Sequence, residues 1–357
     1  MRILHMIPDI GISNGVMSVI LNYAKVMPDD IKFDVIYFAD KPETRKSDIE
    51  ALGGRVFKID PPSPKDLLTG KMNGFFAQHK DEWQALHIHC PHFAVFIAPY
   101  AKKAGIKKIA VHCHTTEYSL AGNGRRNQLL ALYAKYFVKD KFACSNNAGQ
   151  LWFGSKKFTV LNNAIDAEAY AFNQTARDTV RKQMNLENAF VVSHIGRTDI
   201  AQKNHPFLLE IFAEIKKKKS NAKLLLIGAN SNNKLDGICK KLGISEDVIF
   251  LGVRNDVANI LQGCDAFVFP SISEGLPVSV IEAQAAGLPV VMSDAITKEV
   301  VVTKEAVQLS LDQPAELWAE KIIELSKLDR KNNLEIMNSS GWNISNTASQ
   351  LVKYYRG

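Results

Sequence analysis

The sequence predicts an α/β protein of two doubly wound parallel-sheet domains, on three observations. Its 357 residues exceed what one typical core holds, so two domains are expected. Short apolar runs alternate with helical stretches along the chain, the pattern of parallel strands joined by crossover helices. The stretch Ala266–Met292 contains one complete strand–loop–helix–strand unit of that kind.

Composition narrows the class. Hydrophobic residues make up 46% and charged residues 23%, ordinary for a globular protein. No apolar run reaches the roughly 18 residues of a membrane helix. The start, MRILHMIPDI, breaks at Pro8 and reads as a first strand instead of a secretory leader. Five scattered cysteines fit free thiols in a reducing cytoplasm, so a cytoplasmic location is expected. The net charge of +7 lies wholly in residues 1–166, which carry 22 Lys+Arg against 15 Asp+Glu. A basic half attracts a membrane surface, a phospholipid-linked substrate or nucleic acid, while solubility alone accounts for it equally. No nucleic-acid motif is present, and no nucleic-acid partner is expected.

In chain order, Ile3–Ile7 is the first strand and Val16–Met27 the first helix. Between them Asn14 and Gly15 form a glycine-bearing loop of the kind that admits a phosphate or sugar. Strands follow at Phe33–Phe38, Val56–Ile59, Leu86–His89 and Lys108–His112. Pro61, Pro62 and Pro64 mark a turn. His112 and His114 share strand spacing and point the same way, opposite Cys113. A metal reading would draw on His87, His89, His112 and His114, but they form no compact ligand motif. The loop after them, with Gly122, Gly124, Arg125 and Arg126, is a candidate boundary of an acceptor site. Lys141–Ser145 and Thr159–Asp166 close the first half. A polar linker, Ala167–Asn188, contains a short helix at Arg177–Met184.

The second half opens with the strand Phe190–His194. Its end delivers Arg197 and, six residues later, Lys203, ahead of the helix Pro206–Lys219. Paired cations there suit a diphosphate: Arg as a planar fork, Lys as a point charge. Next come the strand Lys223–Ile227 with Gly228, a helix to Leu242, the strand Val248–Leu251, and the segment Gly252, Val253 and Arg254. The helix Asp256–Gly263 leads to the strand Ala266–Phe269. Pro270–Gly275 is a loop, Pro277 suits a helix start, Gly287 ends the helix and Pro289 prevents it resuming. Glu274 lies in the loop and Glu282 about one and a half turns into the helix, on either side of the free N–H groups of Val278 and Ser279. One carboxylate on each side of an anion site could hold hydroxyls flanking a diphosphate, the layout of a nucleotide-sugar. A loop Glu and a solvated helix Glu are the plainer reading of the same pair. Near the C-terminus, Ile344, Ala348, Leu351 and Tyr355 share one helix face.

The Glu274/Glu282 spacing, with its flanking Gly275-Leu276-Pro277, closely resembles the donor-site motif of family 4 of the retaining glycosyltransferases. Gly15, His114, Asn163 and the Arg197/Lys203 pair occur in the order that family shows, so the resemblance spans essentially the whole chain. Ala164 stands where the family has glycine, and Asn14 replaces one of two adjacent glycines. The resemblance implies a GT-B architecture: two Rossmann-like domains facing across a cleft. The expected boundaries are 1–166, joined by the terminal helix 341–357, and 167–340. It implies transfer of a sugar, with retention, from a nucleoside diphosphate sugar (a UDP-sugar) to a hydroxyl of a lipid-linked oligosaccharide, in capsular or exopolysaccharide synthesis. Arg197, Lys203, Val278 and Ser279 would hold the diphosphate. Glu274 would orient the sugar and Glu282 the ribose, with Gly228, Val253 and Arg254 beside the base. His114 would line the reacting face, and His112 is the second candidate. Asn14, Arg125 and Arg126 would lie on the acceptor side. No Asp-x-Asp motif is present, so no metal or other cofactor is expected. The anticipated setting is cytoplasmic, peripheral to the inner face of the plasma membrane, on anionic lipid. The rivals are a sugar-nucleotide epimerase on the same fold and a non-catalytic partner subunit.

Overall fold

A computed structural model describes residues 1–12, 14–63, 69–115, 117–118, 123–198 and 201–357, with Lys71 described in its backbone only. Pro64 of the expected turn and Gly122 of the expected acceptor loop lie outside the described residues. The chain divides into two compact units, Met1–Ala164 with Ile344–Gly357, and Ile165–Asn343.

The first unit is built on a seven-stranded sheet in the order β3-β2-β1-β4-β5-β6-β7, every pair parallel. Its strands are Arg2–Met6, Lys32–Tyr37, Val56–Lys58, Ala85–Ile88, Lys108–Cys113, Asp140–Ala143 and Thr159–Val160, numbered β1 to β7. The central strands are buried along their length, as expected when helices cover both faces. Asp34 in β2 is the exception in kind. It is fully buried, yet its carboxylate accepts hydrogen bonds from Arg55 Nη2 and Trp83 Nε1, both at 2.8 Å, and from Arg2. Burial alone would raise its pKa, but these donors outweigh it and hold the carboxyl below its ordinary value. The terminal helix Ile344–Arg356 packs Ile344, Ala348, Leu351 and Tyr355 into this unit's core.

The second unit carries a six-stranded parallel sheet in the order β10-β9-β8-β11-β12-β13. These strands are Phe190–Ile195, Ala222–Ile227, Val248–Gly252, Ala266–Phe269, Val290–Ser293 and Ala306–Leu309, numbered β8 to β13. The segment expected as a linker with one short helix, Arg177–Met184, holds that helix as Gln174–Gln183 and a second one, Ala167–Tyr170, before it. Arg177 and Arg181 of the second helix anchor it to Asp265 and to the carbonyls of Cys264 and Gly263. These anchors are polar, so the segment's composition disguised a packed element.

In each sheet the winding direction reverses once, between β1 and β4 and between β8 and β11. Adjacent loops part at such a reversal, and ligands of open α/β sheets bind there, beyond the carboxyl ends of the strands.

Candidate active site

At the β8/β11 reversal the two departing loops are joined directly. Lys203, at the end of the short turn Ala201–Lys203, places Nζ 2.8 Å from Glu274 Oε1. The same ammonium lies 4.6 Å from the Phe269 ring centroid. Ile272 donates its N–H to the Gln202 carbonyl at 2.8 Å, and Asn204 donates Nδ2–H to that of Pro270 at 3.2 Å. Gly196 allows this approach. A Cβ there would stand 2.6 Å from His194 Nε2 and 3.1 Å from two carbons of the Lys203 stem. Arg197 follows Gly196 and is half-buried.

The helix after β11 is Val278–Ala285, with Pro277 at its N-cap, so it begins one position later than the first-turn place expected for that proline. No side chain caps it, so the N–H groups of its first turn face outward from the helix end near Leu276 and Gly275. Glu282 accepts a hydrogen bond from Tyr170 Oη–H at 2.8 Å. Burial pushes the Glu282 carboxyl above its ordinary value, and the tyrosine donor only partly offsets this. A raised carboxyl pKa makes the ionised group a cost to folding at neutral pH, relieved as pH falls below the folded value. Glu282→Gln is therefore expected to leave the melting temperature unchanged or raise it while weakening donor binding. A variant that melts early with unchanged donor affinity would make Glu282 a structural residue.

Gly228 follows β9 with φ +78° and donates its N–H to the Gly252 carbonyl at 2.6 Å. Beyond it Val253 is 53% exposed, and Arg254 pairs with Asp256 through two bonds of 2.8 and 2.6 Å. A groove of about 940 Å³ shares Arg254 and is lined chiefly by residues of the helix Gln174–Gln183 and its two ends, with Leu251, Asp256, Asn259 and Ile260 opposite. Lys203, Glu274 and Glu282 do not line it, so the groove and the ion-paired site are separate features.

In the first unit the structure gathers five buried histidines: His5 on β1, His87 on β4, His89 just beyond β4, His112 on β5 and His114 just beyond β5. His114 Nδ1 lies 3.0 Å from Asn163 Oδ1, His89 Nδ1 2.8 Å from His114 Nε2, and His5 Nδ1 2.9 Å from His89 Nε2. The amide oxygen only accepts, which fixes the proton order: His114 donates to Asn163, His89 to His114, and His5 to His89. His87 Nδ1 meets Tyr355 Oη at 2.7 Å. Both nitrogens of His114 are thus engaged, and its ring is 7% exposed. Burial lowers the His114 pKa to about 4 and that of His5 to about 3, and pushes His87, His89 and His112 well below their ordinary value.

Two overlapping triplets, His5/His87/His89 and His89/His112/His114, bring ring nitrogens within 4.8 Å of one another. Two nitrogens of a tetrahedral zinc site at about 2.0 Å from the metal stand roughly 3.3 Å apart. The His5–His89 and His89–His114 contacts are shorter than that, at hydrogen-bond length. His5 is the member that sequence reading missed, and the contact of Asn163 with His114 was not foreseen; the His-x-His repeats of β4 and β5 were the available signal.

The remaining candidates occupy simpler places. Asn14 caps the helix Gly15–Val26, accepting from the N–H groups of Val16 and Met17 at 3.0 and 3.2 Å. A Cβ on Gly15 would meet nothing within 4 Å, so no protein neighbour demands glycine there. Ala164 does not have positive φ, so the replacement of glycine costs nothing. Arg125 and Arg126 are exposed on the first turn of the helix Gly124–Phe137, and Arg126, after burial, helps lower the His92 pKa to about 4.

Two doubly wound parallel α/β units of seven and six strands are the GT-B fold of glycosyltransferases. Residues 176–340 match the family of group 1 glycosyl transferases. EpsF of Bacillus subtilis (strain 168), assigned as a glycosyltransferase, is 28% identical over 370 residues, covering 99% of this chain and 96% of EpsF. The UDP-Gal:alpha-D-GlcNAc-diphosphoundecaprenol alpha-1,3-galactosyltransferase of Escherichia coli is 25% identical, covering 60% of this chain and 59% of that enzyme. Among solved structures, Anabaena Alr3699/HepE in complex with UDP aligns with a TM-score of 0.77 at 20% identity, over 100% of this chain and 98% of that one. Residues 176–340 thus carry the group 1 glycosyl transferase family, and the chain is a glycosyltransferase. No helix among the described residues is long and apolar enough to cross a membrane.

Proposed function

We propose that this protein transfers a sugar from a UDP-sugar to a hydroxyl of a lipid-linked oligosaccharide, with retention, at the inner face of the plasma membrane in capsular or exopolysaccharide synthesis. The observation that carries the reading is the Lys203–Glu274 ion pair at the β8/β11 reversal. Each partner holds the other in place until the donor arrives. A diphosphate then takes Lys203 as its counter-charge, and the released Glu274 carboxylate accepts hydrogen bonds from the sugar hydroxyls.

Bond breaking leaves negative charge on the diphosphate. In this reading Lys203, Arg197 and the N–H groups of Val278 and Ser279 supply the charges and dipoles that stabilise the leaving group. Glu282, steadied by Tyr170, receives the ribose, and Gly228, Val253 and Arg254 border the base. His114 is neutral at pH 7 and has both nitrogens engaged, so it serves as a wall for the reacting face and not as a proton-transfer group. Support for the donor comes from the UDP held by the Anabaena protein, and for the acceptor from the diphosphoundecaprenol substrate of the E. coli relative.

Thermal shift with UDP, GDP, ADP and CMP tests the donor reading. UDP at 100 times its dissociation constant should add about 2.7 kcal/mol of stability. A shift with ADP or GDP alone would replace the base, and no shift with any nucleotide would remove the donor site. Transfer of labelled sugar from UDP-sugars into the lipid extract of bacterial membranes tests the acceptor.

A further inference from the structure

The helix Gly124–Phe137 is amphipathic in the reverse of the usual sense. Its buried residues are the small or polar Asn127, Ala131 and Ala134. Its bulky residues face outward: Leu129 is 68% exposed, Leu132 43%, Tyr136 58% and Phe137 76%. With half-buried Tyr133 they fall at helical spacing on one stripe, and the Tyr133 and Phe137 rings lie 5.3 Å apart. Core packing would favour the opposite arrangement, and a contiguous exposed apolar stripe marks an interaction surface.

Charge identifies what the stripe meets. From Tyr118 to Ile165 the chain has seven cations, Arg125, Arg126, Lys135, Lys139, Lys141, Lys156 and Lys157, against one acid, Asp140. That carboxylate accepts a hydrogen bond from Tyr354 Oη–H at 2.9 Å. The ammonium groups of Lys135 and Lys156 lie 5.6 and 5.1 Å from the Tyr136 ring, beside the stripe itself.

We propose that this helix lies in the plane of an anionic phospholipid surface, its Leu–Tyr–Phe stripe in the boundary between headgroups and acyl chains and its flanking cations on the lipid phosphates. An apolar stripe edged with Lys and Arg, with tyrosine at the rim, has the composition of an interfacial helix. A second copy of the chain fits less well, because pairing two such stripes would set like charges opposite each other. The proposal rests on the lipid-linked acceptor reading only in giving that acceptor a place. Its test contains no sugar donor or acceptor, so its failure would leave the transfer reaction standing.

The test is co-sedimentation of the full chain with vesicles of phosphatidylcholine alone and of phosphatidylcholine with an equal part of phosphatidylglycerol. The protein should pellet with the anionic vesicles and not the neutral ones. Salt should weaken the effect, since exposed charges are screened beyond about 8 Å at physiological ionic strength. Leu129→Ser with Phe137→Ser should reduce binding about tenfold or more, as should Lys139→Glu with Lys156→Glu. Both pairs sit on the surface and should melt with the wild type; Leu132→Ser replaces the first pair if it melts early. A wild type that ignores anionic vesicles at low salt would overturn the proposal. So would an apolar variant that binds undiminished, or a wild-type dimer in light scattering that the Leu129/Phe137 variant splits without any vesicle binding.

Discussion

Acidifying the protein from pH 7 to pH 5 is expected to destabilise its N-terminal unit strongly. His5, His87, His89, His112 and His114 are buried as neutral rings: burial lowers the pKa of His114 to about 4 and that of His5 to about 3, and pushes the other three well below their ordinary value. In the unfolded chain the same groups titrate near 6.5. Above that value neither state binds the protons, and the stability is fully present. As pH falls below 6.5 the unfolded state takes up protons that the folded state refuses until its own lowered values are reached. Each histidine then removes about 1.4 kcal/mol per pH unit, or about 2 kcal/mol at pH 5. His5 and His114 together remove about 4 kcal/mol, a large share of a domain's stability, and the other three act in the same direction. The second unit has two such residues, His194 and His205, and should unfold at lower pH. Circular dichroism and urea midpoints across this range check the expectation. Stability that does not change between pH 7 and 5 would mean that the rings take up protons in the folded state.

Lys203→Ala should lower kcat/KM with the UDP-sugar about ten- to hundredfold. The proposed contact between this ammonium and the diphosphate is charge-assisted and partly buried, the kind worth about 1.5–3 kcal/mol. The substitution also leaves Glu274, itself only 18% exposed at its side chain, without the cation that now neutralises it. Comparison with Glu274→Gln and the double variant separates the two effects, because groups that share one ion pair lose less together than the sum of their single losses. Unchanged turnover together with unchanged UDP affinity would sink the assignment.

The strands of both sheets were legible because buried parallel strands are continuous apolar runs, and AFVF and FVVSHI announce themselves. Lys203 and Glu274 were legible by their places after strand ends, although their pairing was not, since it joins loops from two strands 71 residues apart in sequence. His5 looked like one polar residue in an apolar strand. Its partner is 84 residues away and becomes adjacent only because β1 pairs with β4. Tyr170 was hidden for a similar reason: it sits on a four-residue helix within a polar stretch, 112 residues before Glu282. Beyond Met292 the alternation suggested no strand, since Gln308 interrupts the apolar run of β13 and its amide is satisfied by the Ile296 carbonyl. The helix Gly124–Phe137 shows how far pattern can mislead: spacing finds the apolar stripe but not which face the rest of the fold covers.

The N-terminal unit is begun before the second unit is made and finished only after it, because it combines Met1–Ala164 with Ile344–Gly357. Residues Ile165–Asn343 form one uninterrupted unit and can fold as soon as they emerge during synthesis. Residues Met1–Ala164 must wait for Ile344–Gly357, which bring Tyr355 to His87 and place the carbonyls of Tyr354 and Tyr355 on Lys108 Nζ at 2.9 and 3.0 Å. Until the ribosome releases the final turn of that helix, a parallel sheet and its histidine core stand incomplete and need shelter from aggregation. Loss of the last turn of that helix would therefore do its damage at the opposite end of the sequence.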